Sequence, residues 1–417
     1  VGKTSLINEF GKEFDLYLPL NLEKKADREF FLTGAPVQEI FDSVLVSRGL
    51  PKPTGRVLLF IDEIQYVPYA IQSLRYFYED LPGIHVIAAG SLLETLLNRQ
   101  ISFPVGRAEY MALRPCTFSE FLGALGEGQL LDQLANISVH DLVHTRLMNL
   151  FKIYTLVGGM PEVVDNYRNN RDVIALADVF QTLLTGYRDD IEKYSPRDKL
   201  TPVIRHVINN GWAFAAQRIT FEKFANSNYK SRDMAETFRI LEKALLLELV
   251  YPTTETRIPL LKDLKKKPKL IWVDTGLVNF SSGIHIELFN SSNISDTWRG
   301  RIAEHIVAQE IIGASNRFME ERSFWVREAK NSQAEVDFIV GSSRFGLIPI
   351  EVKSGSASKL KSLHLFMEDS PANIAIRFWN NPERSDLVVL PGGKKFTLFS
   401  LPYYYAGFIE PFLEARM

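Results

Sequence analysis

Gly2-Lys3-Thr4-Ser5 opens the chain with the second half of the phosphate-binding pattern G-x-x-x-x-G-K-[ST]. A helix over residues 5–14, with Leu6, Ile7 and Phe10 on one side, would aim free backbone N–H groups at a phosphate. Gly2 and Ser5 would line that turn. Lys3 would reach the β- and γ-phosphates, and the Thr4 hydroxyl would hold Mg²⁺. By itself the tripeptide fits a solvated loop better. The chain starts Val-Gly-Lys without a methionine, so the first glycine of the pattern and the strand before it are expected upstream.

Residues 57–63 read Val-Leu-Leu-Phe-Ile-Asp-Glu. A continuous apolar run of this length predicts a strand buried on both faces of a parallel sheet. Ligands of open α/β sheets gather at the carboxyl ends of their strands, which is where Asp62 and Glu63 fall. This is a Walker B pattern: Asp62 supports the Mg²⁺ shell and Glu63 polarises an attacking water. A third strand, His85-Val86-Ile87-Ala88-Ala89-Gly90, leads to Ser91. Ser91 fits a sensor of the γ-phosphate, and it also fits a helix N-cap, with Glu94 completing a capping box. Arg107, after Val105-Gly106, fits an arginine finger reaching a neighbouring subunit's nucleotide, which would require a homo-oligomer. An ordinary salt-bridged arginine fits as well.

A second set of chemistry-bearing residues lies in 298–353. Glu304 sits on a helix beginning near Trp298 and shares a face with Ala308 and Ile311. In the strand 335–340, alternation puts Val336, Phe338 and Val340 on one side and Glu335 and Asp337 on the other. In the strand 347–353, Ile348, Ile350 and Val352 take one face, Glu351 and Lys353 the other. The turn-like residues 341–346 would close an antiparallel hairpin and bring Asp337 nearly opposite Glu351. Two carboxylates so close repel unless a cation lies between them. Mg²⁺ held by Asp337, Glu351 and Glu304, with Lys353 beside a nucleophilic water, would satisfy that arrangement. It resembles the PD-(D/E)xK nuclease-like fold, with Asp337 as first acid and Glu351-Val352-Lys353 as E-x-K. An active nuclease and a fold that has lost catalysis both remain open.

The elements between these clusters are mostly helical. Leu130, Leu131, Leu134, Leu142, Leu147, Leu150, Phe151 and Ile153 recur at three- and four-residue spacing until Gly158-Gly159 and Pro161 break the pattern. Residues 199–275 predict two helices, 201–210 and one from Ser231, then extended segments at 249–251 and 269–273. That is a winged-helix plan. The lysine-rich stretch 262–269 would be its wing, either contacting nucleic-acid phosphates or solvating a hairpin tip. Protein partners are an alternative use of such a domain. Short strands near 377–379 and 386–390 would complete a mixed sheet, and Tyr403-Tyr404-Tyr405 reads as core or interface packing.

The order of motifs resembles the prokaryotic AAA-type ATPases that carry a C-terminal DUF4143 region. The half P-loop, Ile-Asp-Glu-Ile-Gln at 61–65, Gly90-Ser91, Phe-Pro-Val-Gly-Arg at 103–107, Leu-Arg-Pro-Cys-Thr-Phe-Ser-Glu-Phe-Leu at 113–122 and Gly-Gly-Met-Pro-Glu at 158–162 carry it. The resemblance implies ATP and Mg²⁺ as cofactors and ATP hydrolysis coupled to a nuclease-like module that binds DNA. It also admits a nucleotide-dependent switch or scaffold for protein partners. The expected fold class is α/β: a P-loop ATPase core with a parallel sheet over 1–122, a helical lid over 123–195, a winged-helix domain over 196–284 and a PD-(D/E)xK-like domain over 285–417.

Composition narrows the classes further. The 417 residues carry 48 basic and 50 acidic side chains, a net charge of −2, which excludes a uniformly basic nucleic-acid coat but not a local basic patch. One cysteine, Cys116, excludes an internal disulfide framework and a multi-thiolate zinc site, and suits a cytoplasmic location. The apolar stretches are far short of the roughly 20 residues that span a bilayer, so no membrane partner is expected.

Overall fold

A computed structural model of the chain describes residues 2–90, 106–193, 198–285, 297–315, 322–327, 334–353 and 360–417. The chain divides into two compact units, Val1–Leu113 and Arg114–Met417.

In the first unit the apolar run of the sequence becomes β2. Helix α1 (Lys3–Phe10) leads into β1 (Leu16–Asn21), followed by α2 (Lys25–Leu32) and α3 (Val37–Ser47). Then come β2 (Val57–Asp62), α4 (Pro68–Asp80) and β3 (Ile84–Ala88). The strands form a parallel sheet in the order β1-β2-β3. All six residues of β2 are buried, which is why its sequence shows no alternation. Phe31, Ile40, Phe41, Ile71 and Phe77 from the helices pack with Leu20, Leu59 and Ile61 of the strands. Helix α1 begins at Gly2, whose φ of 87° is the left-handed conformation that glycine adopts without penalty. It buries none of its side chains, and Leu6 and Phe10 are exposed.

The second unit starts with helices α5 (Phe118–Ala124), α6 (Gly128–Ala135), α7 (Asp141–Val157), α8 (Pro161–Asn170) and α9 (Ala177–Lys193). Helices α10 (Thr201–Asn210) and α11 (Ser231–Lys243) precede β4 (Leu247–Val250), β5 (Pro252–Thr253) and β6 (Lys269–Trp272). β4 and β6 form an antiparallel pair. After α12 (Thr275–Ser281) and α13 (Thr297–Gly313) come β7 (Ser323–Val326), β8 (Glu335–Ser342) and β9 (Gly346–Val352). Helix α14 (Lys361–Asp369), strands β10 (Ile374–Trp379), β11 (Arg384–Val389) and β12 (Lys395–Pro402), and helix α15 (Ile409–Arg416) finish the chain. The mixed sheet runs β11-β12-β10-β9-β8-β7-β5. One of its faces joins the helices in a single large core, and the other is covered by Leu363, Phe366 and Met367 of α14. The helices of 118–193 are part of that large core, and so is Tyr403-Tyr404-Tyr405. Among the described residues, no helix is long and apolar enough to cross a membrane.

The alternation expected across β8 breaks. Val336 and Ile339 pack on the α14 side, whereas Phe338 packs with the helices. The pairing of β7 with β8 shows the cause: Trp325 lies opposite Val336 and Ser323 opposite Ile339, so β8 carries one extra residue. Such a bulge re-aims the side chains beside it, and Asp337 lies within it. Strand β9 keeps its period, with Ile348, Ile350 and Val352 in one core.

Candidate nucleotide site and carboxylate cluster

The carboxyl end of β2 and the first turn of α1 meet in the first unit. The Thr4 hydroxyl donates to Asp62 Oδ2 at 2.7 Å. Lys3 Nζ donates to the carbonyl of Gly90, just past β3, at 2.9 Å. Asp62 is buried, and its other oxygen accepts from the Glu63 backbone N–H at 3.0 Å. Glu63 has left-handed backbone (φ 53°), an uncommon state for a side-chain-bearing residue and one found at functional turns. Its carboxylate accepts from the Gln65 amide. Gln65 is itself buried, and its Oε1 has no hydrogen-bond partner among the described residues. That oxygen lies where a Cβ on Gly90 would come within 2.4 Å, so glycine is what leaves room for it. Gly2 caps α1, and Ser5 is exposed in its first turn. Two hard oxygens, Thr4 Oγ1 and Asp62 Oδ2, converge here beside a lysine, a donor set suited to Mg²⁺ and phosphate.

Arg107 stands apart from these groups. Its Nε pairs with Glu79 Oε1 of α4 at 2.5 Å, and Arg75 joins the same carboxylate at 3.1 Å. The hydrogen bond from Arg75 leads in holding that carboxyl below its usual range, and Arg107 adds to it. Ser91 lies outside the described residues.

In the second unit, Glu304 of α13 meets Glu335 and Asp337 of β8, with carboxylate oxygens all within 4.8 Å of one another. Lys269 of β6, only 2% exposed, reaches into this group. Its Nζ pairs with Glu304, lies 2.9 Å from Glu335 Oε1, and donates to the Asp337 carbonyl at 3.4 Å. Arg218 also pairs with Glu335. Asp337 Oδ2 accepts from the backbone N–H of Val352 at 2.8 Å, and Glu351 pairs with Lys353. The structure thus brings Glu304 and Asp337 together with Glu335, and engages Glu351 with its neighbour two residues on. Burial, reinforced by Asp337, pushes Glu304 and Glu351 each up to about 8. Burial raises Asp337 as well. Burial opposes the charge of Lys353, but Glu351 and Asp337 outweigh it and raise its pKa. Glu335 is held below the usual carboxylate range: its burial is outweighed by Lys269 and Arg218.

The lysine-rich stretch was expected to lie on a solvated wing. Lys265 and Lys267 are exposed, but Lys269 is not, because it starts β6 and turns inward against Phe324 and Phe338. No periodicity marks it. The weak signals were its place directly before the apolar Leu270-Ile271-Trp272 and the Glu-x-Asp spacing of Glu335 and Asp337.

A second buried polar network joins the motifs at 113–122 and 158–162. Thr117 caps α5 in a capping box with Glu120, and the Glu310 carboxylate accepts from the next N–H, Phe118, at 3.0 and 3.2 Å. Tyr154 donates to Glu310 at 2.7 Å. Asp274 accepts from Gly159 N–H at 2.6 Å and caps α12 through Leu277 N–H at 2.9 Å. The Cys116 N–H donates to the Gly159 carbonyl at 2.7 Å. Burial pushes Glu310 up to about 7, Asp274 to about 6 and the Cys116 thiol to about 11, and pushes His305 down to about 3.

With that geometry in hand, the chain's domains have counterparts among known families. Residues 1–122 match an AAA domain, a match that suggests a P-loop nucleoside triphosphatase. Residues 299–400 match a domain of unknown function, DUF4143, and residues 148–287 match another, DUF8612. The chain therefore carries an AAA domain at its N-terminal end, DUF8612 in the middle and DUF4143 towards its C-terminal end. No curated protein and no solved structure matches it.

Proposed function

We propose that this protein binds ATP with Mg²⁺ in its first unit and hydrolyses it, and that its C-terminal part is a nuclease-like module that engages a partner without cutting nucleic acid. The hydrogen bond from Thr4 to Asp62 carries the first half of this reading, because it joins the two ligands that a P-loop and a Walker B strand would offer one metal ion. Mg²⁺ bound there would neutralise charge on the phosphates. Lys3 exchanges the Gly90 carbonyl for the β- and γ-phosphate oxygens. Glu63, steadied by Gln65, orients the attacking water. Ser91 is assigned as the γ-phosphate sensor. Arg107 acts as a finger only in a homo-oligomer and only after leaving Glu79.

Within the second unit we assign 123–195 as a helical lid, 196–284 as a winged helix and 285–417 as a PD-(D/E)xK-like domain. The pair of helices α10 and α11 followed by the β4–β6 ladder supports the winged helix. Asp337 on β8, Glu351-x-Lys353 on the antiparallel β9 and Glu304 on α13 support the nuclease-like plan. Lys265 and Lys267 give the winged helix exposed charge for DNA phosphates, so binding there weakens as salt rises.

ATP turnover by the full-length protein tests the first half. Lys3→Ala removes turnover, and Glu63→Gln removes turnover while ATP stays bound; unchanged rates in both variants end the reading. For the second half, linear and circular DNA are incubated with Mg²⁺ and wild type, Asp337→Ala or Lys353→Ala. Products from wild type that the two variants do not form make the module a nuclease.

A further inference from the structure

A nuclease-like reading puts a divalent metal among Glu304, Asp337 and Glu351, and the cluster of Glu304, Glu335 and Asp337 does not fit one. The oxygens of Glu304, Glu335 and Asp337 are close enough to share a cation, and a cation of the chain's own already reaches them. Lys269 Nζ touches Glu304 and lies 2.9 Å from Glu335 and 3.4 Å from the Asp337 carbonyl. An ammonium held at these distances repels a divalent ion brought to the same oxygens, because a part-buried site screens charge less than water does.

The lysine is also fixed in place. Its backbone pairs with Val250 in the β4–β6 ladder and forms a bridge with Arg218. Its Nζ lies 4.8 Å from the centre of the Phe324 ring and 5.3 Å from that of Phe338, so the charge is held by two ring faces as well as by the acids. Withdrawing the ammonium would leave the part-buried Glu304 carboxylate without that partner. Of the neighbouring groups, Glu351 Oε2 has no hydrogen-bond partner among the described residues, while other atoms are engaged. Arg218 takes Glu335, Lys353 takes Glu351, and the Val352 N–H takes Asp337.

We infer that Lys269 is the resident cation of this cluster and excludes Mg²⁺ and Mn²⁺ from it, so that the acids tie β6 to α13 and β8 instead of serving hydrolysis. The sequence pattern of a metal nuclease is then kept while its metal position is filled by a side chain from outside that pattern. This inference is independent of the nucleotide site at Lys3 and Asp62.

Mn²⁺ titration of the nucleotide-free full chain, read by calorimetry and electron paramagnetic resonance, tests it. Wild type and Asp337→Asn bind Mn²⁺ identically. Lys269→Met keeps an unbranched apolar stem between the two rings and removes the charge. It gains one Mn²⁺ per chain, bound at least about tenfold more tightly than any that wild type takes up, since the repelling ammonium is gone. The gain disappears in Lys269→Met with Asp337→Asn. Mn²⁺ on wild type that Asp337→Asn abolishes overturns the inference, and so does a Lys269→Met protein with native circular dichroism and no gain. Should Lys269→Met fail to fold, the comparison of wild type with Asp337→Asn decides alone: equal binding sustains the inference, and a loss overturns it.

Discussion

The Thr4 hydroxyl and the Asp62 carboxylate, 58 positions apart in the chain, meet at 2.7 Å. One comes from the first turn of a helix and the other from the last residue of a fully buried strand. Neither element needs that contact for its own packing, since α1 buries no side chain, so the pairing reads as preparation of a cation site.

Thr4→Ala therefore raises the Mg²⁺ concentration needed for half-maximal ATP turnover by about tenfold, the loss of one oxygen ligand. Saturating Mg²⁺ restores much of the rate. A titration of turnover against Mg²⁺ at fixed ATP measures this, and an unshifted curve removes Thr4 from the metal shell.

Gln65 should act through Glu63. Its amide donates to the carboxylate proposed to orient water, and among the described residues it makes no hydrogen bond to Lys3 or Thr4. Gln65→Ala lowers kcat by about tenfold or more with KM for ATP unchanged, the pattern of an interaction made only in the transition state. A matching rise in KM shows instead that Gln65 serves nucleotide binding.

Gly159 cannot take a side chain without displacing backbone. A Cβ there would stand 2.2 Å from the Cys116 carbonyl oxygen and 2.8 Å from its nitrogen. Gly159→Ala destabilises the second unit by about 2–4 kcal/mol, as overpacking against an immobile neighbour does. Denaturant unfolding followed by tryptophan fluorescence reads the change, because Trp212 and Trp272 stack within this unit at 3.9 Å between ring centres.

Glu310 gives stability a pH dependence of definite sign. Burial raises its folded pKa from 4.5 to about 7, against the hydrogen bonds from Tyr154 and Phe118, with Glu120 adding to the rise. Between those values the folded state holds a proton that the unfolded state has lost. The contribution is complete below about pH 4.5 and disappears as pH rises through about 7, on the order of 3 kcal/mol in all. Asp274, raised to about 6, acts in the same direction. Glu310→Gln flattens the fall in unfolding free energy between pH 5 and 8 relative to wild type. Parallel pH profiles for the two proteins would show that Glu310 is not protonated in the native state.

Some of this was legible from residue order. A continuous apolar run must be buried on both faces, so β2 and the Asp62-Glu63 pair at its end were readable without coordinates. The helix at Thr201–Asn210 and the hairpin of β8 and β9 were readable for the same reason: local periodicity dictates local structure. What periodicity does not carry is an irregularity in pairing. The bulge in β8 depends on what β7 offers opposite it, and it undid the expected single face for Val336 and Phe338.

The sequence by itself determined the kinds of group this protein would bring to each site: an amine, a hydroxyl and paired acids near a phosphate loop, and acids with a lysine on a hairpin. Only the tertiary structure decided which charges meet. Lys269 belongs by sequence to a lysine-rich loop, yet it lies among acids 35 and more positions away, whereas Lys265 and Lys267 stay in solvent. Charge interactions are long in range and indifferent to chain separation, and burial sets their strength, so the partner of a lysine is fixed by the fold that surrounds it.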